Sequence, residues 1–217
     1  MSLVFGIISL IILIFSAILH EIAHGFVAER LGDPTARLSG RLTLDPRKHI
    51  DPFMSILLPL VLILSGSPVI FGAAKPVPVD PFNLRDGRKD LALVSLVGPL
   101  TNVIIAIIGA IILKILRIVS FGALDYSFIY PYLYPILLMV TEINLLLAIF
   151  NLIPIPPLDG SKIFSLILPE REAATYMSLG SIGFIIIFFL LVFPIGGLSL
   201  ETLLYNLLSF SLKLLGL

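Results

Sequence analysis

The sequence predicts an all-α polytopic membrane protein of about five to six transmembrane helices, with a re-entrant or strand-like segment near its functional site. Three observations lead there. The 217 residues are 58% hydrophobic and only 13% charged, about half the charged share of a soluble domain (about 25%). Mean hydropathy is +1.11. Several apolar runs reach the roughly 20 residues that a spanning helix needs.

The first run predicts a helix over about residues 2–29, and it carries a polar cluster near its C-terminal end. It lacks the basic start and small-residue cleavage site of a signal peptide, so it is expected to be retained. Residues 53–74 are uncharged but interrupted by Pro59, Gly66 and Pro68; they predict a re-entrant or spanning segment. A helix is expected over 91–117, and another over 129–153 that is broken only by Glu142. The proline-rich stretch 151–160 follows. The uncharged run after Ala173 predicts a helix over 173–195. The tail 201–217 repeats leucine at helical spacing, as an interfacial helix or a last short span would. Residues 37–44 partly alternate, which suggests a short strand pair at the membrane surface. A single intramembrane domain over 1–217 is expected.

Basic residues gather in two stretches, Arg30 to Lys48 and Lys75 to Lys89, and both read as cytoplasmic. A simple span between them would separate them. Either 53–74 turns back on itself, or it spans and 71–81 returns through the protein interior. Both readings put 71–79 beside an internal cavity, because irregular backbone at membrane depth must be covered. Net charge is zero, so nothing argues for a nucleic-acid partner. There is no cysteine, which excludes thiol catalysis and thiolate metal ligands.

The chemistry sits in His20-Glu21-Ile22-Ala23-His24, a His-Glu-x-x-His pattern on a helix. Histidines four apart face one side, so both can reach one metal ion, and Glu21 stands beside it where it can hold a water. Polar groups here are costly unless paired. A catalytic zinc takes three protein ligands and keeps one position open. The strongest third candidate is Asp159, next to a helix break made by Pro154, Pro156 and Pro157. Its other reading is an N-cap for a helix starting near Ser161. His49, between charged neighbours, is the rival ligand and is expected at the surface. Asn144 is expected to hydrogen-bond between helices. Glu142, deep in an apolar run, has no assigned role. A metal transporter could use the same ligands, but it would not need Glu21.

These motifs together resemble the site-2 protease family of intramembrane zinc metalloproteases, in its compact branch without PDZ or CBS domains. The resemblance rests on the His-Glu-x-x-His, on Asn151 through Gly160 as Asn-x-x-Pro-x-x-x-x-Asp-Gly, on Gly98-Pro99-Leu100-Thr101-Asn102, and on Gly32-Asp33-Pro34-Thr35, Leu42 to Pro46 and 71–79. It implies one Zn²⁺ per chain on His20, His24 and Asp159, with Glu21 as the general base. It implies that Asn151, and Asn102 in the Gly-Pro segment, help position substrate or steady the oxyanion. The implied partners are transmembrane-helix protein substrates and the lipid bilayer. The implied location is the cell membrane, multi-pass, with the active site toward the cytoplasm. Oligomeric state is left open.

Overall fold

The computed structural model describes residues 3–64, 75–120, 130–193 and 199–217. Helix α1 (Leu3–Arg30) is long and apolar enough to cross a membrane. Its buried residues Gly6, Ser9, Leu13, Ser16, His20, His24 and Ala28 recur every three or four positions. Val4, Ile7, Ile11, Phe15 and Leu19 point outward. The small and polar face is therefore inside and the large apolar face outside, as lipid as solvent demands.

A helical turn, α2 (Thr35–Leu38), follows α1. The strand pair expected over 37–44 is not formed: residues 35–38 close a helical turn instead, with the Leu38 and Ser39 N–H groups donating to the Pro34 and Thr35 carbonyls at 3.0 Å. Gly40, at φ +63°, ends it. A π-helical turn, Pro52–Leu57, leads into α3 (Leu58–Leu64). The rest of the segment expected over 53–74 lies outside the described residues. The Lys75 N–H donates to the His49 carbonyl at 2.7 Å. Residues 75–80 carry no regular secondary structure; Lys75 and Val77 each precede a proline, which favours extended backbone, and Asp80 is extended at φ −99°, ψ 107°.

Among the described residues, helix α4 (Gly87–Ser120) and helix α5 (Tyr130–Asn151) are the other two elements of spanning length and apolarity. They pack on each other and on α1 to form the centre of the molecule. The α4–α5 approach is close at Gly109, where a Cβ would lie 2.6 Å from Thr141 Oγ1. Helix α4 begins earlier than the apolar run alone suggests: the polar residues Arg88, Lys89 and Asp90 are wound into its first turn.

The proline-rich loop leads into α6 (Asp159–Phe164). One helix was expected over 173–195. Two are found, α7 (Glu170–Ser178) and α8 (Gly180–Val192), with a bend of 70° between them. Gly180 at the junction weakens the helix, and the bend brings Gly183 against the Pro156 carbonyl, with no room for a side chain. Helix α9 (Leu200–Leu214), capped by Ser199 Oγ on the Thr202 N–H at 3.0 Å, forms the tail. Among the described residues, three helices reach spanning length, or four if α7 and α8 count as one bent span.

The two basic stretches share one end of the molecule. The Arg85 N–H donates to the Leu31 carbonyl at 3.2 Å. Asp33, fully buried, accepts from the Asp80 N–H at 2.7 Å and from Asn83 Nδ2 at 3.0 Å. Beneath them Ala28, Leu84 and Val94 form a small core.

Candidate metal centre

His20 and His24 lie on the buried face of α1, about 15 and 9 Å along the helix from Arg30 at a rise of about 1.5 Å per residue. Asp159 opens α6, and its N-cap is Leu158. The proposed capping role for Asp159 itself is therefore not found; it is the first residue of the helix. The proline-broken loop swings this end of α6 under α1. Gly160 permits the approach, since a Cβ there would lie 2.7 Å from the Ile153 carbonyl and closer still to that of Leu152.

The three side chains expected as ligands converge. Asp159 Oδ2 lies 3.1 Å from His20 Nε2 and 3.1 Å from His24 Nε2, and the two nitrogens are 2.9 Å apart. Two ligands about 2.0 Å from one tetrahedral ion stand roughly 3.3 Å apart, so this triangle is close to the size zinc requires. The chemistry fits as well. His24 Nδ1 lies 2.6 Å from the Val94 carbonyl, an acceptor only, so Nδ1 carries the proton and Nε2 presents a lone pair. A lone pair and a carboxylate oxygen held together in a buried pocket call for a cation between them. The chain's own His-Glu-His group satisfies the same requirement, with ligand atoms of His20, Glu21 and His24 all within 4.8 Å.

Glu21 is half-buried, and its Oε2 accepts from the Val77 N–H at 2.7 Å. The extended segment after Lys75 thus runs directly past the acid. Lys162 Nζ engages Asp159 Oδ1 at 3.1 Å, leaving Oδ2 for the centre. Gly98 supplies the space: a Cβ there would collide with the His24 ring and lie 2.6 Å from His20 Cε1. Pro99, next to it, cannot donate to the Ser95 carbonyl and breaks the α4 ladder where the imidazoles press against it.

The remaining sequence candidates fall elsewhere. Asn102 is fully buried, with its amide between His20 Nδ1 (2.6 Å) and Asn144 Oδ1 (2.8 Å). A side chain placed there acts through His20, and it offers no surface to a substrate. Asn151 is half-buried and donates one N–H to the Leu147 carbonyl at 2.9 Å; a second N–H on the same nitrogen is the group that an oxyanion role would use. His49 is not at the surface. It is 1% exposed and lies 2.8 Å from the Thr43 carbonyl, because the turn 43–49 folds over it and Lys75 closes it off. Sequence reasoning did not single out Lys162, Val94 or Val77. Lys162 was the accessible signal, three residues after Asp159 on a helix. The other two contribute only backbone atoms.

The family model for Peptidase family M50 matches residues 8–130 and 127–194. YwhC of Bacillus subtilis, provisionally named a zinc metalloprotease, is 38% identical over 186 residues, covering 86% of this chain and 80% of its own. Rip2 of Mycobacterium tuberculosis, provisionally named likewise, is 32% identical over 82% of this chain, which spans 62% of that longer protein. MJ0611 of Methanocaldococcus jannaschii, another with the same provisional name, is 30% identical over 75% of this chain and 71% of its own. No solved structure matches the chain at a significant level.

Proposed function

The chain belongs to peptidase family M50, the site-2 protease family, and is a zinc metalloprotease; from that premise we propose that it cuts membrane-spanning helices within the bilayer, at one zinc held by His20, His24 and Asp159. The observation that carries this reading is the convergence of those three side chains at 2.9 to 3.1 Å, below the level of Arg30 in an apolar helix.

Bound there, zinc supplies Lewis acidity toward a water and toward the scissile carbonyl. Glu21 takes the proton of the attacking water and returns it to the leaving nitrogen. The Val77 N–H holds the Glu21 carboxylate in place. Asn151 donates its second N–H to the developing oxyanion. A helical substrate hides its peptide bonds, so it must unwind, and the extended segment 75–80 is the edge along which it would lie as a strand. The shared basic end supports a cytoplasmic-facing site in a multi-pass cell-membrane protein.

The test is purification in detergent, quantification of zinc per chain, and cleavage of a panel of single-span helices. One zinc per chain is expected, with cleavage inside the apolar stretch. A Glu21→Gln chain should keep zinc and lose cleavage. If that variant still carried zinc across vesicle membranes, a metal transporter would replace this reading.

A further inference from the structure

We propose that Asn144 and Asn102 form a directed hydrogen-bond relay that decides which ring nitrogen of His20 faces the metal. His20 differs from His24 in its support. A backbone carbonyl fixes the His24 ring outright, whereas His20 Nδ1 faces the side chain of Asn102. An asparagine amide is nearly symmetric in shape, so packing alone does not tell its oxygen from its nitrogen. If Asn102 turned its NH₂ to His20, the ring would have to keep Nδ1 unprotonated and place its proton on Nε2, where the metal must bind.

The orientation is set two residues away. Asn144 Nδ2 lies 2.8 Å from the Val140 carbonyl, one turn back on α5, and 2.9 Å from Ser16 Oγ on α1. A carbonyl only accepts, so the Asn144 nitrogen must face Val140 and its Oδ1 must face α4. There it accepts from Asn102 Nδ2 at 2.8 Å. Asn102 Oδ1 is then turned to His20 Nδ1 at 2.6 Å, the ring proton sits on Nδ1, and the Nε2 lone pair points into the centre. Both asparagines are 0% exposed and lie in spanning helices, so no water can take over for a misdirected group. The relay crosses α5, α4 and α1 at one depth.

The inference rests on His20 being a zinc ligand, and the experiment separates the two claims. Zinc affinity of the purified full chain is measured by competition with a chromophoric chelator. Asn144→Leu is compared in two backgrounds, the natural Asn102 and Asn102→Asp. A carboxylate at 102 accepts at both ends, so it receives the His20 Nδ1 proton whatever Asn144 does. Asn144→Leu should weaken zinc about 10- to 100-fold with Asn102, the usual cost of losing support behind a ligating histidine. It should cause no loss with Asn102→Asp. An equal loss in both backgrounds would make Asn144 a packing residue and overturn the relay. So would no loss with Asn102. If Asn144→Leu does not fold, Asn144→Ala makes the same comparison. His20→Gln tests the premise: undiminished zinc affinity there would refute His20 as a ligand, independently of the relay.

Discussion

The Glu21 carboxylate is tied to a backbone N–H at 2.7 Å, so it can be neutralised with little disturbance to the fold. Glu21→Gln should lower the rate of peptide cleavage by about 10²–10⁴-fold while zinc content per chain stays constant, as read by parallel proteolysis and metal assays. Gly98→Ala should act in the opposite sense. Its methyl enters the volume of the His24 ring, so bound zinc is lost along with activity, and helix content measured by circular dichroism is retained. Asp33 carries a pH prediction. Burial would raise its carboxyl, but hydrogen bonds from Thr35, Asn83 and Asp80 hold it below the usual range. The sign follows from that depression: the stabilisation is complete above the unfolded value of about 3.9 and is lost as pH falls from there through the lower folded value. Thermal unfolding in detergent should show this acid loss, and Asp33→Asn should flatten the profile and lower stability near neutrality.

At the scale of elements, the segment 75–80 is held from three sides: the His49 carbonyl at Lys75, Arg41 Nη2 on the Pro76 carbonyl at 3.0 Å, and Asp33 at Asp80. Val77→Pro removes the N–H that donates to Glu21 Oε2. Cleavage should fall about tenfold or more with zinc retained, as the loss of a charge-assisted hydrogen bond implies; unchanged cleavage would remove this segment from the mechanism. The spanning helices were legible because an apolar run of 20 residues has few alternatives, and α1 announced its chemistry because histidines four apart must share a face. Asp159 was legible as an acid stranded beside a proline break. The partners of His20 and His24 on α4 were not, since 70 or more residues separate them and no local periodicity encodes which helix faces which. His49 misled for a related reason: its neighbours are charged, but the turn that buries it is closed by Lys75, 26 positions on. The break between α7 and α8 was hidden because every residue there is uncharged, and the packing of Gly183 on Pro156 that accompanies the bend joins positions 27 residues apart.

For the molecule as a whole, the hydrogen bonds that join 31–33 and 49 to 75–85 place both basic stretches at one end. In sealed inside-out vesicles, trypsin should therefore reach sites in both Arg37–Lys48 and Arg85–Lys89, and in right-side-out vesicles neither. Cleavage of only one of the two stretches in either preparation would contradict the shared face. A last consequence lies in Arg88, at the start of α4. Its guanidinium holds the carbonyls of Ser165 and Leu168, directly behind the short helix that carries Asp159. Order in that turn and occupancy of the centre are therefore thermodynamically linked, and such linkage is reciprocal. Loading the ion should slow amide hydrogen exchange at 165–168, and Arg88→Met should speed that exchange and weaken ion binding.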